Sequence, residues 1–195
     1  MARRSIAKEA EIVRERLGGR PVVLVGLMGA GKSSVGRRLA EKLELAFVDA
    51  DSEIELAAGQ TIPEIFAQHG ETYFREGERR VISRLLGGGA QVLATGGGAY
   101  INDETRAQIQ QRGVSVWLRA SLPLLMSRVM KRQDRPLLKQ DDPQAVMRGL
   151  MDTRYPVYAL ADVIVESRDV QHGQMVNDVI RALAAWQGWE RFKHD

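Results

Sequence analysis

Cysteine is absent from the 195-residue sequence, so the chain can form neither a disulfide framework nor a thiolate metal site. This composition suits a reducing compartment, and we expect a cytoplasmic protein. Long apolar runs are absent too: the longest, around Val22, is too short to cross a bilayer. A large excess of charge of one sign is also missing, because 28 basic and 25 acidic residues leave a net charge of +3. We therefore expect neither a membrane nor a nucleic acid as partner, and a binder of small anions is favoured.

One stretch stands out against this ordinary background. Val22–Val25 is a short apolar run typical of a buried strand, and Gly26–Ser33 after it fits G-x-x-x-x-G-K-[ST] at every fixed position. A helical pattern follows, so the order is strand, glycine loop, helix. Such a loop turns its N–H groups toward a phosphate at a helix N-terminus. It predicts a nucleoside triphosphate bound with Mg²⁺ at these residues: Gly29, Ala30, Gly31, Lys32, Ser33 and Ser34.

Short apolar runs alternate with helical patterns along the rest of the chain. This alternation predicts a P-loop-type α/β fold, a three-layer α/β/α arrangement around a five-stranded parallel sheet. The predicted strands are Val22–Val25, Leu45–Val48, Gln91–Thr95, Val114–Leu118 and Ala161–Val165. The predicted helices cover residues 52–58, 71–86, 102–111, 122–130, 143–153 and 173–186, with Thr61 and Glu64 forming a capping box before Gly70.

We expect one main domain with short extensions. Residues 1–20 have apolar side chains at helical spacing, which indicates an amphipathic helix packed on the domain or on a partner, or else a frayed tail. Residues 21–175 form the domain itself, with substrate-binding helices at about 51–86 and a mobile lid at about 131–141. Residues 176–195 form a C-terminal helix and tail.

Ligands of parallel α/β sheets bind beyond the carboxyl ends of the strands, so residues that follow strands are informative. Asp49 and Asp51 end the second strand: one could organise Mg²⁺ while the other meets a hydroxyl, or Asp51 could simply cap a helix from Ser52. The glycines at 96–98 indicate a tight turn or a place where a ligand meets bare backbone. The stretch at 135–138 fits a surface loop as well as a lid that brings an arginine to a phosphoryl group.

The phosphate loop belongs to a series of motifs along the chain: 26–33 (GLMGAGKS), 47–51 (FVDAD), 62–66 (IPEIF), 70–78 (GETYFREGE), 95–99 (TGGGA), 135–138 (RPLL), 154–158 (RYPVY) and 161–162 (AD). The phosphate loop alone is common to a superfamily, whereas the other motifs in this order are specific. Taken together, they resemble the shikimate kinases over about residues 20–175.

On the substrate side, the resemblance implies ATP-dependent phosphorylation of the 3-hydroxyl of shikimate, a step toward chorismate and the aromatic amino acids. Asp51 would orient the reacting hydroxyl or accept its proton. Arg75 and Arg154 would bind the carboxylate of shikimate, and Glu78 would support them. The backbone of Gly96, Gly97 and Gly98 would line the pocket.

On the nucleotide side, the resemblance implies one Mg²⁺, with Ser33 as a ligand and Asp49 acting through water. Lys32 and Arg135 would act on the phosphates, Arg135 from the lid. Adenine would lie against Arg128 and the loop that contains Arg168 and Gln171. ATP and shikimate would be the only partners of a monomeric enzyme.

Two other classes remain open from the residues alone. A kinase of gluconate or of a nucleoside monophosphate would share the fold, and gluconate is also a polyol carboxylate. A P-loop ATPase that acts as a nucleic-acid or regulatory switch would favour a basic face or an extra domain, and the sequence offers neither.

Overall fold

The structure is a computed structural model that describes residues 5–131 and 141–192. Within these residues the strands are β1 (Val22–Val25), β2 (Ala46–Asp49), β3 (Gln91–Ala94), β4 (Val114–Arg119) and β5 (Val163–Glu166). The helices are α1 (Ile6–Leu17), α2 (Lys32–Leu43), α3 (Ala50–Ala58), α4 (Ile62–Leu86), α5 (Asp103–Arg112), α6 (Leu122–Val129), α7 (Pro143–Tyr158) and α8 (His172–Ala185). In the same described part of the chain, Ala99–Ile101 and Gly188–Phe192 form short 3₁₀ helices.

The five strands form one parallel sheet in the order β2-β3-β1-β4-β5, which confirms the predicted sheet. β1 lies at the centre, with Val22 opposite both Val92 of β3 and Val114 of β4. All four residues of β1 are buried, as expected of a parallel strand covered on both faces. The chain leaves β1 toward one edge and later returns to the other, so a crevice opens beyond the carboxyl end of β1.

Two groups of helices form the outer layers. In one group α1, α2 and α8 pack against one another. In the other, α4 contacts α3 and α5, and α6 contacts α7. The predicted three-layer α/β/α arrangement is therefore confirmed.

The two ends of the described chain belong to the same hydrophobic core. The side chains of Val13 and Leu17 on α1 are fully buried, and Trp189 and Phe192 are also buried in this core. Residues Ile6–Leu17 form helix α1, with Ser5 as its cap. No helix among the described residues is long and apolar enough to span a membrane.

Local chemistry explains where the substrate-side helices begin and bend. The capping box predicted at Thr61 and Glu64 is present at the start of α4. Gly70 bends this helix with φ 78° and ψ 177°, and the chain then continues to Leu86. The bend is expected because glycine has no Cβ to oppose a positive φ.

Several predicted boundaries are wrong: β5, for example, begins at Val163 rather than Ala161, and two differences concern helices that contribute to the site. Helix α3 begins at Ala50 rather than Ser52, and its cap is Asp49, whose carboxylate accepts from the N–H of Asp51; Asp51 is therefore not the cap. Helix α7 continues beyond residue 153 to Tyr158, although Pro156 lies inside it. Proline removes only one hydrogen bond, and in the final turn the freed carbonyl of exposed Asp152 can bond to water.

Candidate active site

The loop between β1 and α2 has a backbone conformation that residues with a side chain rarely adopt. Gly26, Gly29 and Gly31 have φ angles of 135°, 82° and 99°, left-handed values that glycine adopts readily. A Cβ on Gly26 would also lie 2.9 Å from the carbonyl oxygen of Leu118. The loop leads into the N-terminus of α2, where unpaired N–H groups and the helix dipole favour an anion.

The first two residues of α2 connect this loop to β2. Lys32 Nζ donates to the carbonyl oxygens of Gly26 at 2.7 Å and Leu27 at 3.0 Å, which holds the ammonium over the loop. Ser33 Oγ donates to Asp49 Oδ2 at 2.8 Å. A hydroxyl and a carboxylate therefore adjoin each other at the edge of the phosphate loop.

The carboxyl group of Asp51 has a perturbed acidity. Burial raises the pKa of Asp51 to about 6, and the negative charge of Asp49 adds to this rise, while the Lys32 ammonium opposes it. The backbone of Gly96 passes close by, because a Cβ on Gly96 would lie 2.8 Å from Asp51 Oδ1 and 3.0 Å from Glu78 Oε1. Asp51 thus lies beside the glycine turn that follows β3.

An arginine from α4 reaches the same turn. Arg75 Nη1 donates to Glu78 Oε2 at 2.8 Å, and its Nε and Nη2 donate to Glu71 Oε1, each at 3.2 Å. The Glu78 side chain is only 5% exposed, and burial raises its pKa although Arg75 counteracts the rise. A Cβ on Gly98 would lie 2.5 Å from Arg75 Nη1, so glycine is needed there for the guanidinium to lie against the backbone.

A second arginine reaches the turn from α7. Arg154 Nη1 donates to the carbonyl oxygen of Gly97 at 3.1 Å, and the Tyr158 hydroxyl donates to the same oxygen. The structure therefore brings Asp51, Arg75 and Arg154, which lie far apart in sequence, to one three-glycine turn.

A cleft of about 550 Å³ runs along the carboxyl edge of the sheet and joins this turn to the phosphate loop. Arg75, Glu78, Gly98 and Arg154 do not line this cleft; they adjoin or belong to the glycine turn. The lining residues are Met28, Gly29, Gly31, Lys32, Ser33, Ser34, Val35, Asp49, Asp51, Thr95, Gly96, Gly97, Arg128, Val129, Lys131, Ser167, Asp169, Val170, His172 and Met175.

Arg128 connects the phosphate loop to the loop after β5. Its Nη1 donates to the carbonyl oxygens of Gly29 and Ala30, both at 3.2 Å, and to Ser167 Oγ at 2.9 Å. Its Nη2 donates to the carbonyl oxygen of Arg168 at 2.8 Å. Arg128 therefore holds the shape of the loop as well as lining the cleft.

The other two residues predicted to contact adenine, Arg168 and Gln171, do not line the cleft as Arg128 does. The Arg168 side chain forms an ion pair with Asp178 on α8, and Gln171 precedes α8 as its cap residue. Neither lines the cleft, whereas their neighbours Asp169 and His172 do. Arg135 and most of the predicted lid lie outside the described residues.

Sequence reasoning missed two residues that shape the site. Ser167 is buried and its hydroxyl donates to Ala30 at 3.0 Å; its position just after β5 was a usable signal. Tyr158 belongs to the motif at 154–158, but nothing in the sequence shows that its hydroxyl reaches Gly97, 61 residues away.

A parallel α/β sheet, a phosphate loop at the carboxyl end of its central strand and a neighbouring glycine turn contacted by two arginines define a P-loop kinase of small molecules. A family model described as shikimate kinase matches residues 28–184. The shikimate kinase of Rhodopseudomonas palustris is 57% identical over 176 residues, which cover 90% of this chain and 86% of the relative. The shikimate kinase of Bradyrhizobium diazoefficiens is 55% identical over 177 residues, or 91% of this chain and 85% of the relative.

Among solved structures, the shikimate kinase of Acinetobacter baumannii in complex with shikimate is similar to this chain. It has a TM-score of 0.81 and 37% identity, over 87% of this chain and 95% of that one. The chain therefore belongs to the shikimate kinase family, and it is an ATP-dependent enzyme that phosphorylates shikimate.

Proposed function

We propose that the cleft transfers the γ-phosphoryl group of ATP to the 3-hydroxyl of shikimate and gives shikimate 3-phosphate and ADP. The observation that carries this proposal is the convergence of Asp51, Arg75 and Arg154 on the turn at Gly96–Gly98, directly beside the phosphate loop. A small polyol carboxylate needs cations for its carboxylate and a hydrogen-bond acceptor among its hydroxyls. Asp51 and the backbone of Gly96 and Gly97 line the same cleft as Lys32, and Arg75 and Arg154 contact this turn.

The phosphates of ATP bind the N–H groups of Gly29–Ser34 and the ammonium of Lys32. Ser33 and Asp49 suit a single Mg²⁺, because this ion prefers oxygen ligands and takes few of them from protein, retaining phosphate oxygens and waters. When bound, the ion neutralises charge on the phosphates. Adenine lies at the end of the cleft formed by Arg128, with Arg168 and Gln171 as its proposed further contacts.

Arg75 and Arg154 bind the carboxylate of shikimate, since the planar guanidinium matches a carboxylate with two parallel hydrogen bonds. Glu78 fixes Arg75 in place, and the backbone of Gly96–Gly98 forms the floor. Asp51 accepts a hydrogen bond from the 3-hydroxyl and orients it toward the γ-phosphate. With a pKa of about 6, Asp51 is mainly ionised at neutral pH and can also accept the proton.

Arg135 is proposed to reach the transferring phosphoryl group from the lid at 131–141. Positioning and charge neutralisation supply most of the rate in phosphoryl transfer, so an arginine at this point would act on turnover. A monomeric state and a cytoplasmic location complete the proposal.

A coupled assay of ADP release tests the reaction and separates it from the other P-loop classes. Shikimate, gluconate, nucleoside monophosphates and DNA are offered in turn with Mg²⁺ and ATP. ADP should form with shikimate alone, and phosphorus–proton NMR correlation should place the new ester on carbon 3. Comparable turnover with gluconate, or an ester at another hydroxyl, would contradict the proposal.

A further inference from the structure

The turn between β3 and the 3₁₀ helix at Ala99–Ile101 carries the proposed substrate pocket on three successive glycines. Glycine has the greatest backbone freedom of all residues, so such a turn is not rigid by itself. Within it, the N–H of Ala99 donates to the carbonyl oxygen of Gly96 at 3.3 Å. The carbonyl oxygen of Gly97 is fixed from outside, by Arg154 and Tyr158.

Tyr158 is well held for this purpose. Its side chain is fully buried on the last turn of α7, and its ring packs against Trp117, Tyr155 and Tyr100 with centroid separations of 5.8, 6.3 and 6.4 Å. Because the Tyr158 ring is packed on several sides, the position of its hydroxyl is fixed. Burial raises the pKa of Tyr158 to about 12, so the hydroxyl keeps its proton and remains a donor at every pH of interest.

Two donors share one acceptor at this point. A carbonyl oxygen has two lone pairs and can accept from both the Tyr158 hydroxyl and Arg154 Nη1. Because the peptide group is planar, fixing this oxygen also fixes the plane of the peptide between Gly97 and Gly98. The guanidinium of Arg75 lies against Gly98, the second residue of that peptide.

We propose that Tyr158 is a positioning residue that fixes Arg154 and the Gly97 peptide for the shikimate carboxylate without contacting the substrate. The inference rests on the proposed function of this turn. The Tyr158 hydroxyl sets the orientation of the shared carbonyl, and Arg154 takes its position from that carbonyl. The Tyr158 hydroxyl bonds to the glycine turn and not to the phosphate loop, so its loss should affect shikimate more than ATP.

The chain offers a matched control for this proposal. Tyr155 lies one turn earlier on α7, packs edge-on against Trp117 at 4.9 Å, and its hydroxyl donates to the carbonyl oxygen of Ala120. Tyr155→Phe and Tyr158→Phe therefore remove the same group from the same helix and the same aromatic cluster. Only Tyr158→Phe removes a hydrogen bond to the glycine turn.

The test measures KM and kcat for both substrates, and thermal stability, in the two variants. Tyr158→Phe should raise the KM for shikimate roughly three- to tenfold, the range expected for one hydrogen bond, with the KM for ATP and kcat changed less than about twofold. Tyr155→Phe should leave both KM values unchanged. Equal KM values for shikimate in the two variants, or equal rises for shikimate and ATP in Tyr158→Phe, would overturn the proposal.

A double variant separates positioning of Arg154 from a general loosening of the turn. If Tyr158 acts through Arg154, adding Tyr158→Phe to Arg154→Ala should weaken shikimate binding, measured by calorimetry, by less than about twofold further. If Tyr158→Phe weakens shikimate binding as much in the Arg154→Ala variant as in the wild type, the assigned role is wrong. Failure of the proposed function is a separate result, because the wild-type enzyme would then not bind shikimate at all.

Discussion

At the residue scale, the raised pKa of Asp51 connects the structure to the chemistry most directly. Its pKa is raised to about 6, first by burial and then by Asp49, whereas an unfolded chain leaves an aspartate near 3.8. The folded protein therefore binds this proton more tightly than the unfolded chain. Protonated Asp51 therefore contributes to the free energy of unfolding. This contribution is fully present below pH 3.8 and is lost as the pH rises through about 6.

Asp51→Asn should consequently be more stable than the wild type at pH 8, where the wild-type carboxylate is ionised and buried, and the difference should shrink toward pH 5. Thermal unfolding at several pH values measures this, with the exposed Asp152→Asn as control. Turnover in Asp51→Asn should fall much further than shikimate affinity. A stability difference that is independent of pH would show that the Asp51 carboxylate is not held at a raised pKa.

The sequence predicted where the phosphate loop and the two aspartates lie in the fold, because this loop requires a fixed spacing and Asp49 and Asp51 come at the end of a strand. What could not be predicted was how the side chains share partners. The sequence suggested that Arg128 contacts adenine, whereas its guanidinium also holds the loop through Gly29 and Ala30. Long-range hydrogen bonds of this kind depend on tertiary packing, which a local pattern does not contain.

At the element scale, the glycine turn after β3 is the point where three helices bring their functional side chains together. Gly98 has a negative φ that any residue can adopt, so its backbone conformation does not require glycine. Glycine is required because a side chain would occupy the space beside this residue. That space is filled by the Arg75 guanidinium. Helix α4 can supply Arg75 there because its bend at Gly70 separates a short capped segment from the longer helix.

Gly98→Ala should therefore displace Arg75 and raise the KM for shikimate about tenfold or more, with little change in the KM for ATP. The matched control is Gly77→Ala on α4, where a Cβ would meet nothing within 4 Å and alanine should stabilise the helix slightly. Steady-state kinetics with each substrate varied in turn provides the measurement. Unchanged shikimate kinetics in Gly98→Ala would mean that the position of Arg75 against the turn does not matter.

The elements themselves followed from the sequence more reliably than their ends. Hydrophobic runs and cap residues identified every strand in the described residues, and the capping box at Thr61 was recognised from two side chains. The end of α7 was predicted at residue 153, whereas the helix continues to Tyr158. In the final turn Pro156 removes a single hydrogen bond, and Tyr158 in the same turn is fully buried.

At the scale of the whole molecule, the segments before β1 and after α8 pack at the amino ends of the strands, opposite the active site. Arg191 pairs with Asp162, just before β5, and its Nη2 donates to the carbonyl oxygen of Gly113 at 2.9 Å, just before β4. Trp186 and Trp189 pack edge-on at 5.0 Å. Because these contacts lie at the amino ends of the strands, they stabilise the fold without shaping the cleft.

Trp189→Ala should lower the free energy of unfolding by about 3–5 kcal/mol, the usual cost of removing a large buried aromatic side chain. The KM values for shikimate and ATP should stay unchanged at temperatures where the variant is folded. Denaturant unfolding combined with kinetics tests both statements, with the exposed Gln187→Ala as control. A shift in either KM would show that the opposite edge communicates with the active site.

The central claim is that the two arginines beside the glycine turn bind the carboxylate of shikimate and not ATP. Calorimetric titration of each ligand into Arg75→Ala and Arg154→Ala tests this most directly, with Arg80→Ala on the exposed face of α4 as control. Loss of one partner of a buried charge pair should weaken shikimate binding by about 2–5 kcal/mol and leave ATP binding and the control unchanged. Normal shikimate affinity in the two variants, or a loss of ATP affinity instead, would contradict the account.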